Sequence, residues 1–193
     1  MSNELFTFDG KRKYLTQDEQ DRFLKAASDL DRAEVRTFCM TLAFTGCRIS
    51  EALQLTVARV DLSAKVIRFR TLKKRDKVEY RAVPVPDDYL DAMKLVHSIA
   101  KRQKLKTGKD ALLWDFKRAM AWKHIKAVMQ AAGIEGAQAT AKGLRHGFGV
   151  RMAQKTRNPR LVQKLLGHSS LETTVIYMDL VGEEERAEVL GAW

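Results

Sequence analysis

No stretch of this 193-residue chain approaches the run of about twenty apolar residues that a membrane-spanning helix needs. The opening residues, "MSNELFTFDGKRKY", lack the apolar segment of a secretory signal. Glycine, proline and serine do not gather into a linker, and no repeat recurs at a fixed period, so neither tethered domains nor a repeat array is expected. There are two cysteines, Cys39 and Cys47. Both fall in an apolar helical stretch without CxxC or metal-ligand spacing, and they read as reduced, packed thiols. The four histidines are scattered, which gives no zinc pattern. These absences point to a soluble, intracellular chain. Its 45% hydrophobic residues are enough for one domain with a real core and too many for a disordered tail protein.

Charge, by contrast, is plentiful and lopsided. Thirty-five Lys and Arg against 24 Asp and Glu leave a net charge of +11. The basic residues are spread through "GKRK" (10–13), "KKRDK" (73–77), "KRQKLKTGK" (101–109) and the stretch from Lys155 to Lys164. Such a distribution suits a broad binding face for a polyanion, nucleic acid first, better than a detachable tail.

Hydrophobic spacing gives a mainly α protein with a small antiparallel β-sheet, an α+β arrangement. Thr16 with Asp18 and Glu19 reads as a helix start. "DRAEVRTFCMTLAFTG" has helical spacing and ends at Gly46, and "CRISEALQL" resumes as a short helix. In "RVDLSAKVIRFRTL" the period changes to two, with Ile67 and Phe69 on one face and Val66, Arg68 and Arg70 on the other. "KKRDK" is then a polar tip and "VEYRAVPVP" the returning strand, closed by its prolines. Helices are predicted at roughly 87–104, 116–132, 142–155, 159–166 and 171–178.

Four stretches could carry chemistry. In "TGCRISEALQL", Arg48 and Glu51 are three apart on one helix face, which taken alone is a surface ion pair. In "AKGLRHGFGVRMA", Lys142 and Arg145 share a face at a helix start capped by Thr140. Free N–H groups, helix dipole and two cations together make an anion site there, although a solvated basic face has the same pattern. "NPRLVQKLLGHSS" is a helix with Asn158 as cap, Pro159 in its first turn and Gly167 at its end. His168 follows in the loop, and Tyr177 sits near the end of the next helix.

The order of these stretches carries more than any one of them. "TGCRISE", a hairpin with Lys73 at its tip, "KGLRHGFG" and "LGHSSLETTVIY" resemble the motifs of the tyrosine recombinases, the phage-integrase family of site-specific DNA recombinases, over about residues 14–180. The resemblance implies a catalytic domain that cleaves and rejoins DNA through a covalent 3′-phosphotyrosine, in integration, excision or inversion of a mobile element. Tyr177 is then the nucleophile. Arg48 and Arg145 clamp the phosphate oxygens, since guanidinium is always charged and matches phosphate bidentately. His168 adds a hydrogen bond, and Lys73 protonates the departing 5′-oxygen. No metal, cofactor or ATP is expected, because cations do the clamping and the phosphotyrosine conserves the bond energy.

Lys73 is favoured because continuing the alternation through Ile67, Phe69 and Thr71 puts it on their face. Lys74 is the alternative, and Lys74, Arg75 and Lys77 are otherwise DNA-backbone contacts. The family's box usually opens with histidine, and here Lys142 stands in that place. Its ordinary pKa of about 10.4, against about 6.5 for histidine, makes it an active-site cation whose acid–base role is open. Glu51 is expected to orient neighbouring groups. His146, facing elsewhere on its helix than Arg145, is given a supporting hydrogen bond.

Family members usually carry an N-terminal helical domain as well. Residues 1–13 read here as a short extension, so the chain is either a naturally short member or a catalytic fragment. Residues 181–193 form a tail helix whose Leu190 and Trp193 either dock on a neighbouring protomer, as in a tetrameric synapse on double-stranded DNA, or pack on their own domain. The expected setting is the cytoplasm, on nucleoid, plasmid or phage DNA, with no membrane partner. A DNA-binding module that kept the fold without the chemistry is the alternative function. The DNA sequence recognised is not legible, since phosphate contacts carry no base information.

Overall fold

The computed structural model describes residues 5–72, 78–179 and 190–191. Helix α1 (Gln17–Ser28) begins where expected. Thr16 accepts from the Glu19 N–H at 3.2 Å while the Glu19 carboxylate accepts from the Thr16 N–H at 2.8 Å, a reciprocal cap of the kind worth about 1 kcal/mol. Arg12 and Gln138 also bond that carboxylate. Burial raises its pKa, but these partners outweigh burial and hold it at about 2.

Helix α2 (Ala33–Thr45) runs through the interior, with Phe38, Cys39 and Leu42 at 0–1% exposure. Gly46 ends it at φ 58°, a left-handed conformation that costs glycine nothing. Helix α3 (Ile49–Leu53) follows at once. The sheet has three antiparallel strands in the order β1 (Val60–Asp61), β2 (Val66–Leu72), β3 (Val78–Pro84), with Ile67 opposite Val83 and Phe69 opposite Arg81. Ile67 and Phe69 are buried while Arg68 and Arg70 are exposed, as the alternation requires. The short first strand is an addition to the hairpin read from the sequence.

The helix expected over 87–104 is two helices, α4 (Asp87–Val96) and α5 (Ile99–Gln103). Ser98 breaks it at φ 49°. The break lets Met93 and Ile99 both reach the core and brings His97 Nε2 to 2.9 Å from the Thr37 hydroxyl, to which the Trp114 indole also donates. Helix α6 (Arg118–Ala131) packs on α1, α2 and α3.

Helix α7 (Ala141–Thr156) is capped by Thr140 and is buried on nearly every side from Gly143 to Val150. Helix α8 (Pro159–Leu166) has the expected Asn158 cap, first-turn proline and Gly167 ending, and α9 (Glu172–Val175) is shorter than the predicted 171–178. Among the described residues no helix is long and apolar enough to cross a membrane.

Candidate active site

The site forms where α2 ends, α7 passes and α8 gives way to α9. Arg145 sits in the second turn of α7 and is 7% exposed. Its guanidinium donates to the Gly46 carbonyl at 2.7 Å and to the Leu166 carbonyl at 2.9 Å. Both acceptors lie at helix C-terminal ends, where the dipole is negative, so two independent elements fix the plane of the cation. Burial lowers its pKa to about 10, with the Arg48 charge adding, which leaves it protonated at neutral pH.

Arg48 immediately precedes α3. Its N–H donates to Glu51 Oε2 at 2.8 Å and its guanidinium to Oε1 at 3.2 Å, with the Arg48 side chain 51% exposed and that of Glu51 only 9%. The contact is more than a plain surface ion pair, because Glu51 is buried. Glu51 is a buried carboxylate between two arginines, and the shorter of its guanidinium bonds come from the buried Arg81, at 2.6 and 3.0 Å against 3.2 Å from Arg48. Burial pushes the Glu51 pKa up, but the hydrogen bonds and charge of Arg81 prevail and hold it below the usual carboxylate value.

Sequence reasoning missed Arg81. A signal existed, because period two along β3 puts Arg81 on the same face as Val83, and an arginine on a core face needs a buried partner.

His168 follows Gly167. Its Nδ1 is 3.0 Å from the Thr174 hydroxyl, which ties the start of the loop to α9. Burial first, then the charges of Arg145 and Arg48, lower its pKa to about 3, so the ring is neutral at pH 7.

Tyr177 lies just beyond α9 and is 1% exposed. Its ring stacks on His168 with centroids 6.0 Å apart at 18°. Its hydroxyl is 2.9 Å from His146 Nδ1. Gly149 makes room for the ring, since a Cβ there would lie 2.8 Å from its Cζ. His146, expected to face elsewhere on its helix than Arg145 and to make a supporting hydrogen bond, makes one to the Tyr177 hydroxyl, and because α7 is enclosed the consecutive Arg145 and His146 are both buried. His146 Nε2 is buried without a hydrogen-bond partner. Burial, then the charges of Lys142 and Arg145, lower its pKa to about 4.

Lys142 is exposed in the first turn of α7, and its effect on His146 places it near the tyrosine's partner. Lys142 and Arg145 are not a matched pair of exposed cations, because Arg145 is turned into the core. Lys73, Lys74, Arg75 and Lys77 lie outside the described residues, between the paired ends of β2 and β3. Leu190 is exposed and Trp193 lies outside the described residues. No group of three or more His, Cys, Asp or Glu side chains among the described residues could hold a metal ion.

Arg48, Arg145, His168 and Tyr177 thus come from three separated stretches into one neighbourhood, close enough for their charges to act on one another. Two fixed cations and a neutral imidazole beside a phenol can bind a phosphate diester and present a nucleophile to it.

Comparison with known proteins gives the same picture. The family model described as "Phage integrase family" matches residues 13–184. The chain is 29% identical to the tyrosine recombinase XerH of Helicobacter pylori, over 85% of this chain and 47% of that protein. It is 31% identical to XerD of Bradyrhizobium diazoefficiens, over 94% of this chain and 62% of that protein. Among solved structures, XerH bound to palindromic difH substrate in a post-cleavage complex superposes with a TM-score of 0.76 at 27% identity, covering 93% of this chain and 52% of that one. The catalytic domain of bacteriophage HP1 integrase gives 0.61 at 25% identity, covering 93% of this chain and 95% of that one. The chain spans about half the length of the curated relatives it matches.

Proposed function

We propose that this chain, which belongs to the phage integrase family, is the catalytic part of a site-specific DNA recombinase acting through Tyr177. The phenol oxygen attacks phosphorus, an O–P bond forms to the tyrosine, and the bond to the 5′-oxygen breaks. The products are a 3′-phosphotyrosine and a free 5′-hydroxyl, and a second strand's hydroxyl reverses the step. Arg48 and Arg145 hold the non-bridging oxygens as charge gathers on them, with His168 as a neutral donor. Lys73 supplies the proton to the leaving oxygen. Lys142 adds positive charge at the rim, where the family's box usually has histidine. His146, neutral above about pH 4, holds the phenol's hydrogen bond.

The observation that carries this reading is the stacking of Tyr177 on His168 beside the Arg48–Arg145 pair. At 1% exposure the phenol meets a phosphate only once the segment around α9 has shifted. The net charge of +11 supplies the attraction for DNA. Residues 14–180 form the catalytic unit in this reading. Residues 1–13 extend it, and residues 181–193, with Leu190 and Trp193, link protomers in a tetrameric synapse on prokaryotic nucleoid, plasmid or phage DNA.

The test is a nicked duplex drawn from repeats flanking the gene, on which cleavage traps the covalent intermediate. Wild-type protein forms a protein–DNA adduct, and Tyr177→Phe binds the duplex without forming one. An adduct that persists in Tyr177→Phe removes the assigned nucleophile. Wild-type protein that binds this DNA and never cleaves it is a binding module instead.

A further inference from the structure

We propose that Arg81 is a positioning residue of the anion site: by taking both carboxylate oxygens of Glu51 it leaves the Arg48 guanidinium available to a phosphate-shaped anion. The inference rests on the reading of Arg48 as a phosphate ligand.

Arg81 is held from every side. Its side chain is 4% exposed, and its Nη1 and Nη2 donate to the two Glu51 oxygens at 3.0 and 2.6 Å. Its Nε donates to the Leu165 carbonyl at 2.9 Å, at the end of α8. The guanidinium carbon stands 4.8 Å over the Phe69 ring on the neighbouring strand. On the other side is Gly167, where a Cβ would come within 3.0–3.3 Å of the Arg81 side chain. A planar fork with three donors used in fixed directions cannot easily be replaced by lysine.

The carboxylate is therefore divided unequally. Arg81 donates two guanidinium bonds to it, at 2.6 and 3.0 Å. Arg48 donates its backbone N–H and a single 3.2 Å bond from its guanidinium, which stays half exposed. Arg145 has its own backbone acceptors and makes no hydrogen bond to Glu51 among the described contacts. Counting charges, three arginines and one glutamate leave a surplus of two positives facing the position of a phosphate. Remove Arg81 and the surplus halves. Glu51, still ionised beside Arg48 and Arg145, then turns to the nearest remaining guanidinium, that of Arg48. Two ends of the fold depend on the same fork, because it also joins β3 to the turn that carries His168.

The test compares wild type, Arg81→Met and the double variant Arg81→Met/Glu51→Gln. Inorganic sulfate serves as the anion, followed at the Arg48 side-chain Nε–H resonance, and the adduct rate on saturating nicked duplex is measured in parallel. Arg81→Met weakens sulfate binding about tenfold and slows adduct formation by a similar factor, the scale of one charge-assisted pair. Glutamine at position 51 can still cap the Arg48 N–H but has no charge with which to capture Arg48. The double variant accordingly recovers to within about threefold of wild type on both readouts.

A double variant as impaired as Arg81→Met shows that Arg81 merely braces the fold, and overturns the proposal. So does Arg81→Met with wild-type sulfate affinity, or a wild-type Arg48 resonance that sulfate leaves unmoved. Thermal unfolding is recorded for each protein. If Arg81→Met does not fold, Arg81→Gln against Arg81→Gln/Glu51→Gln asks the same question, with the same order expected. Sulfate binding that follows this order in a protein that never forms the adduct defeats the recombinase reading alone. A working adduct indifferent to position 81 defeats this inference alone.

Discussion

Tyr177 packs against α7, the helix that carries Arg145, yet what holds each of the two residues differs in kind. Arg145 belongs to the sixteen-residue α7 and is pinned by carbonyls 99 and 21 positions away in the chain. Moving it means opening contacts between α2, α7 and α8 together. Tyr177 hangs two residues beyond a four-residue helix, with its backbone N–H on Thr174, its ring on His168 and its hydroxyl on His146. Moving it displaces one short segment and breaks its contacts with His168 and with His146 on α7. Arg145 is part of the core and needs no reorganisation at the moment of reaction, while the buried Tyr177 is carried on a short segment whose displacement would move the nucleophile.

The hardest test of this contrast is Arg145→Ala. It strands two buried carbonyls and removes a phosphate ligand, so the adduct rate falls by roughly a thousandfold and unfolding free energy by about 2–4 kcal/mol, read by single-turnover cleavage and denaturant melts. A loss of cleavage with unchanged stability breaks the claim that this half belongs to the core.

Gly149→Ala attacks the other half. Its methyl group collides with the Tyr177 ring, and the expected result is about ten- to a hundredfold slower adduct formation with about 1–3 kcal/mol of lost stability. If the variant matches wild type in both, the ring does not rest on α7 in solution.

The mildest perturbation is a change of pH. His97, His146 and His168 have folded pKa values lowered by burial to about 4, 4 and 3, from an ordinary 6.5. Above pH 6.5 these imidazoles are neutral in both states and make stability flat. As pH falls from 6.5 towards 4, the unfolded chain takes up protons that the folded chain does not, and stability declines. Glu19 and Glu51, held below 4.5 when folded, add to the decline only below that value. Melting temperature against pH should show a pronounced fall between 6.5 and 4.5, since each imidazole held this far below 6.5 contributes up to about 2 kcal/mol over that range. His124 is also lowered by burial, and His168→Asn, which can keep the Thr174 hydrogen bond, removes one of these four contributions and flattens the slope.

Helix ends were the most legible feature of the sequence. Thr16, Gly46, Thr140, Asn158 and Gly167 each cap or close a helix where local chemistry said they would, because a cap is decided within four residues. The alternation of Ile67 and Phe69 with Arg68 and Arg70 is equally local. The motif residues came out as a set because their order along the chain is itself a pattern. What stayed hidden depends on distant partners. Ser98 breaks a helix with no glycine or proline nearby, for the sake of His97 and Ile99 reaching the core. Arg81 pairs with Glu51 thirty positions earlier and with Leu165 eighty-four later. The direction of His146 follows from the enclosure of α7 by the rest of the fold, which periodicity along α7 does not contain.

The two thiols have a practical consequence. Cys39 and Cys47 are both enclosed, and burial lifts each to about 12, so almost no thiolate exists at neutral pH to meet an alkylating reagent. A cysteine newly placed on the surface would be the one that reacts, with both native residues left untouched. Maleimide dyes or spin labels attached near α9 and near α7 could then report the distance between the two as DNA is added.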